Sequence, residues 1–154
     1  MIDQKNHYAR YCELMALASQ SAPARQQDGG YMSAIFILSA DKALFDLALN
    51  KISACGINFS GIFSAARRAE LSDSQYTAIR AAHSLFNGGS SSHSTPNDLA
   101  QCDYCTLDII TEAMYIWKCG RRPASDERGC LHFDRADELR RRAFELSFSA
   151  QFSQ

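Results

Sequence analysis

The sequence predicts an all-α domain of six or seven helices, and three observations carry that prediction. Apolar residues recur at helical spacing in most segments, helix start and stop signals punctuate the chain, and runs of alternating β-branched residues are almost absent. At 154 residues the chain has the length of one compact unit, so residues 1–154 are read as a single domain.

The elements follow in order. From residue 3 to Ala18, Tyr8, Tyr11, Cys12, Leu14, Met15 and Leu17 form a helix-period stripe that fades towards Pro23. Residues 24–30 are polar and end in glycine, which predicts a loop. Tyr31 to Leu38 is a short apolar run whose length permits a strand or a buried helix, and its helical surroundings favour helix. Ser39 or Asp41 can cap the next helix, which carries Ala43, Leu44, Leu47, Ala48 and Ile52, with Gly56 as its left-handed stop.

Asn58 to Ala69 reads as a short helix with Phe59, Ile62 and Phe63 on its apolar side. Ser72 to Gln75 is a capping box, in which the serine oxygen takes the third helical amide and the glutamine reaches back to the serine amide. The helix it opens runs to Phe86 and closes at Asn87-Gly88-Gly89. Three consecutive serines make residues 88–95 a flexible loop.

Thr95 then caps a helix with Pro96 at its first position, where the missing N–H costs nothing. Leu107, Ile109, Ile110, Ala113, Ile116 and Trp117 make this the most apolar segment, expected to cross the middle of the core and stop at Gly120. Residues 121–129 read as a polar connection. A terminal helix begins near Asp134 with Ala136, Leu139, Ala143 and Leu146 expected to face inward. Its aromatic tail, with Phe144, Phe148 and Phe152, is either folded onto the core or a contact surface.

Charge narrows the function classes. Sixteen basic and seventeen acidic residues give a net charge of -1, and neither the first 60 residues nor the last 34 hold a clear basic excess. A general nucleic-acid binder draws most of its affinity from neutralised phosphates, so that class is disfavoured, although a local patch stays open. The chain starts without an apolar leader and contains no run long enough to cross a bilayer, which predicts a cytoplasmic protein without membrane contact. Six cysteines in a reducing compartment are then free thiols or metal ligands.

Cys102 and Cys105 form a C-x-x-C hook ahead of the apolar helix, and Cys130-Leu131-His132 forms a second hook ahead of the terminal helix. Two such hooks are the usual construction of a structural zinc site, which would lock the C-terminal part, residues 102–150. Cys119 and His93 are reserve ligands. The alternative is that these cysteines behave as small hydrophobes, as free cysteine often does.

No G-x-S-x-G, Walker A, H-E-x-x-H or G-x-G-x-x-G motif occurs, so the chain is not expected to be an enzyme; a cysteine-dependent hydrolase is a distant alternative. Arg140, Arg141 and Arg142, with Arg135 nearby, form the sharpest charge run and the candidate partner-binding strip. Asp134, Asp137, Glu138 and Glu145 stand at i, i+3 and i+4 distances that permit local pairing with them.

The stretch from Ile35-Phe36-Ile37-Leu38-Ser39 through Leu85-Phe86-Asn87-Gly88-Gly89 to Leu107-Asp108 and its helix resembles a family of small proteins of phages and mobile elements of gut Firmicutes. The L-F-N-G motif is its most recognisable piece. The resemblance implies an accessory protein that binds a bacterial host protein, with anti-CRISPR inhibitors of a defence nuclease such as Cas9 among the group. It supplies no catalytic residues. The function expected is a non-enzymatic protein-binding module; the alternative is a small nucleic-acid-associated regulator using the basic terminal helix.

Overall fold

The computed structural model describes residues 4–88 and 94–152, and most of that chain is helical. Among the described residues there are eight α-helices, a 3₁₀ turn over Pro23–Gln27 and two antiparallel hairpins, so the protein is predominantly α without being purely so. Most of the loop expected at 88–95, and His93 with it, lies outside the described residues.

Helix α1 (Gln4–Ser19) buries His7, Tyr11, Leu14, Met15 and Ala18, the i, i+4, i+7, i+8, i+11 face of a helix laid on a core. Helix α2 (Gly29–Leu38) is capped by Asp28, whose carboxylate accepts from the amides of Gly30 and Tyr31 at 2.9 and 3.2 Å. Every residue from Tyr31 to Leu38 is buried. A helix that is apolar all round has no face to give to water and must sit at the centre. The core therefore forms around α2, and the expectation that the Leu107–Trp117 segment is the central helix is corrected.

Helix α3 (Lys42–Ala48) is capped by Asp41 and ends four residues before the expected Ile52. Gly56 is no helix stop. Strand β1 (Ile52–Ser53) turns back through Ala54 and Cys55 onto β2 (Gly56–Ile57), pairing Ile52 with Ile57. Both isoleucines are buried, and the Tyr31 hydroxyl donates to the carbonyls of Ser53 and Ala54 at 3.2 Å, tying the hairpin to α2.

Helix α4 (Phe59–Ala66) is capped by Asn58, and α5 (Asp73–Phe86) opens on the complete Ser72–Gln75 capping box. Helix α6 (Pro96–Ala100) is a single turn and a half; Asp103 then caps a separate helix, α7 (Tyr104–Cys119), so the one helix expected from Thr95 to Gly120 is two. Asp103 breaks it because its carboxylate takes the amide and hydroxyl of Thr106 at 2.8 and 3.0 Å, which offers the backbone a new start. Gly120, at φ 67°, closes α7 as expected.

Helix α2 packs most extensively on α5 and α7. Gly29 and Gly30 lie at these contacts, where a Cβ would touch the Trp117 carbonyl of α7 and the Phe86 carbonyl of α5 at 3.4 Å, an ordinary van der Waals distance. Helix α7 buries Ile109, Ile110, Ala113 and Ile116 against this centre and leaves Met114 and Trp117 about half exposed.

The expected polar connection after Gly120 is a hairpin. Strand β3 (Arg122–Ser125) pairs with β4 (Leu131–Asp134), Arg122 facing Asp134 and Ser125 facing Leu131. Asp126 builds its turn, accepting from the amides of Arg128 and Cys130 at 2.8 Å, with Gly129 at φ 76°. Phe133 turns inward against Phe36, their ring centroids 5.5 Å apart. Helix α8 (Ala136–Phe152) follows, and among the described residues no helix is long and apolar enough to cross a membrane.

Candidate functional site

The terminal helix is held by charge. Gly120 turns the chain at the end of α7 so that the Arg121 guanidinium lies under α8, almost wholly buried. Its Nε and one terminal nitrogen donate to Glu138 at 2.8 and 3.0 Å, its other terminal nitrogen pairs with Glu112 of α7, and its plane lies 4.3 Å from the Tyr115 ring centroid. Arg135 forks onto the same Glu138 carboxylate at 3.0 and 3.1 Å, and Arg142 adds a third cation at 2.8 Å. Glu138 has no exposed surface.

A buried carboxylate survives as an anion only where its lone pairs are filled. Here three guanidinium groups fill them, and the bonds from Arg121 and Arg135 hold the Glu138 pKa down to about 2. The two carboxylates hold the Arg121 pKa above its ordinary value against the cost of burial. Three cations face two carboxylates in this cluster, so it carries one positive charge in excess.

Glu138 is the one buried residue of α8 from Ala136 to Ala150. Ala136 and every residue from Leu139 to Ala150 are exposed, which corrects the expectation that Ala136, Leu139, Ala143 and Leu146 face inward. Leu139 is 60% exposed, Leu146 73% and Phe144 69%. Phe144 and Phe148 stack on each other, centroids 6.2 Å apart, on a different side of the helix from the leucines. The tail is thus exposed through Phe148; the Phe152 side chain lies outside the described residues.

The four arginines expected to form a strip are distributed around the helix, because successive residues turn by about 100°. Arg135 and Arg142 share Glu138, Arg140 pairs with Asp137 at 3.4 Å, and Arg141 donates to the Lys118 carbonyl at 3.2 Å. Of the local pairings read from the sequence, those of Asp137 and Glu138 are present, whereas Asp134 accepts from the Ala136 amide and Glu145 pairs with Lys118. Glu112 and Tyr115, in the other half of the cluster, carried no sequence signal, and Arg121 showed only as half of an Arg121-Arg122 pair that could extend the basic strip, with nothing to mark it as buried.

The cysteine and histidine hooks are not gathered into one group. Cys102, half-buried, bonds through its sulfur to the Asp98 carbonyl at 3.5 Å in a polar pocket of about 330 Å³ shared with Ser74, Thr77 and Arg80. Burial pushes its thiol pKa up, which keeps it protonated near neutrality. Cys105, exposed in the first turn of α7, lines a different pocket with Asp41, Leu44, Asp103 and Ile109. Cys130 lies at the β3–β4 turn, and His132 points outward from β4. The length of α7, about 24 Å, separates Cys105 along the chain from the hairpin. Among the described residues no group of three or more His, Cys, Asp or Glu stands where it could hold a metal ion. The zinc reading therefore rests on sequence spacing alone.

No protein-family model matches this chain, and no curated protein or solved structure matches it either.

Proposed function

We propose that the chain is a non-enzymatic protein-binding module whose docking element is α8. One observation carries the reading: the helix is fastened to the body through the Glu138 cluster while its apolar side chains, Leu139, Phe144, Leu146 and Phe148, are turned to solvent. Helices of globular domains are ordinarily fastened the other way round, apolar face inward and charges outward. Exposed apolar side chains gathered on a helix face and rimmed by charge, as Leu139 and Leu146 are here, mark interaction sites. The resemblance to proteins of mobile elements adds a bacterial host protein, such as a defence nuclease, as the kind of partner and inhibition as the consequence of binding.

The test is capture from a bacterial lysate treated with nuclease, using the wild type and a Leu139→Ser/Leu146→Ser variant. A protein retained by the wild type and lost by the variant supports the reading; one retained by both places binding elsewhere. Capture that disappears on nuclease treatment favours the nucleic-acid regulator. Zinc at Cys102, Cys105, Cys130 and His132 is a separate proposal, supported by their spacing: protein purified without chelators would hold about one zinc per chain, lost in a Cys102→Ser/Cys105→Ser variant.

A further inference from the structure

We infer that the occupant of α8 is an acidic amphipathic helix of another protein, seated along Leu139, Ala143, Leu146 and Ala150. This rests on the docking reading above and names its partner. The four residues recur at i, i+4, i+7 and i+11, which is the spacing of the a and d positions of a coiled-coil seam, and all four are exposed. On that seam Ala143 and Ala150 take the a positions and Leu139 and Leu146 the d positions. A partner helix can approach closely over the alanines and receive the leucines in its grooves.

The edges of the seam set the partner's charge. Arg140 takes the e position on one edge, and Arg142, preceded seven residues earlier by Arg135, takes the g position on the other. The acids Asp137 and Glu145 occupy b and c positions and are turned away from the seam. Arg135 and Arg142 are held in place by Glu138, yet about half of each side chain reaches solvent, and Arg140 is 78% exposed. The cluster beneath keeps one positive charge in excess. A helix with Glu or Asp at its own e and g positions meets cations on both sides.

A second copy of this chain fits poorly. Two copies aligned in parallel would set Arg135 of one against Arg140 of the other across the seam, like charge on like.

Three labelled peptides of about 21 residues, three heptads, test this by fluorescence anisotropy at low salt. The first has Leu at a and d and Glu at e and g; the second replaces Glu by Lys; the third replaces Leu by Ser. The expected result is that only the first binds, that Leu139→Ser/Leu146→Ser weakens it at least about tenfold, and that Arg140→Glu weakens it several-fold while letting the Lys peptide bind. Equal binding of the Glu and Lys peptides, or no binding of the Glu peptide, overturns the inference. So does a sedimentation-defined dimer of the wild type that Leu146→Ser dissociates, which makes the occupant a second copy. Failure of the peptides with partner capture still lost in the leucine variant overturns the acidic helix alone; capture unchanged in that variant overturns the docking reading itself. Thermal unfolding of each variant near the wild-type temperature shows that the fold is intact.

Discussion

Helices α2 and α8 solve opposite problems. Helix α2 has eight consecutive buried residues, and the two side chains among them that need a polar partner find backbone carbonyls: Ser33 donates to the Gly29 carbonyl at 2.6 Å and the Tyr31 hydroxyl to the β1–β2 turn at 3.2 Å. Helix α8 is longer, carries three arginines and three acids, and from Ala136 to Ala150 buries a single glutamate. The first is positioned by expulsion from water, which is non-directional and leaves it no alternative but the centre. The second is positioned by directional bonds to the body, Glu138 with Arg121, Asp137 with Arg122, and Arg141 and Glu145 with Lys118, which hold one side of it and leave its apolar side chains outside. Burial by the hydrophobic effect consumes an apolar face; anchoring by charge leaves it available.

The sharpest way to test the contrast is to cut into α2. Phe36 has no exposed surface and meets the rings of His7, Tyr11 and Phe133 at centroid distances of 4.5, 6.2 and 5.5 Å. Phe36→Ala is expected to cost about 3–5 kcal/mol of folding stability, read from the shift of the urea midpoint at constant slope. A loss below about 1 kcal/mol would mean the site collapses and α2 is not the packing centre.

Next in size is the anchor. Glu138→Ala leaves Arg121 buried with Glu112 as its only close carboxylate and sets Arg135 and Arg142 against it as bare cations. Breaking a buried pair from one side costs about 3 kcal/mol or more, and here the loss is expected to fall on α8. Its amides should exchange hydrogen near the unprotected rate while those of α2 keep their protection. The same anchor weakens in acid. Because the Glu138 pKa is lowered from 4.5 to about 2 in the fold, its stabilisation is complete above pH 4.5 and is lost as pH falls through 2.

A buried histidine gives α2 its own acid sensitivity, in a different window. His7 has no exposed surface; its Nε2 lies 2.9 Å from the Phe36 carbonyl, and its Nδ1 has no hydrogen-bond partner among the described residues. A proton on Nδ1 would create a buried donor with no acceptor, and burial lowers the pKa from 6.5 to about 4. The unfolded chain therefore binds this proton first. Stability is expected to fall by about 3 kcal/mol as pH drops from 6.5 to 4 and to show no further contribution from this group below. Denaturant titrations across that range, repeated with His7→Leu, check it: the variant should lose most of that fall and keep only the smaller contribution of groups such as His83, whose pKa burial also lowers.

The two regions were also unequally legible in the sequence. Several caps and stops were readable because they act within one turn: Asp41, Ser72 with Gln75, Thr95 and Gly120 sit at helix ends, whereas the caps Asp28 and Asp103 went unread and Gly56 belongs to a strand. Both hairpins escaped because their strands are two and four residues long, too short for alternation to register. The position of α8 escaped for another reason. Leu139, Ala143 and Leu146 have the same spacing whether they face a core or a partner, and what decides between these is Arg121, seventeen residues before Glu138 in the chain. Local pairing of Glu138 with Arg135 and Arg142 was visible, but their convergence with Arg121 on one buried carboxylate belongs to the tertiary structure.

The smallest expected effect is the most informative about α8. Leu146 is 73% exposed, so replacing it by glutamate removes little buried surface, and the two residues differ little in helix propensity. The new carboxylate would lie one turn after Arg142, where an exposed pair adds a few tenths of a kcal/mol at most. Leu146→Glu should therefore leave stability within about 0.5 kcal/mol of the wild type. The same chemical change at Leu38, fully buried in α2, would prevent folding. Should Leu146→Glu instead lower the midpoint substantially, and more so at higher protein concentration, Leu146 is covered in the isolated protein by a second copy. A midpoint unchanged at every concentration leaves the seam open in the free protein, as a surface that waits for a partner must be.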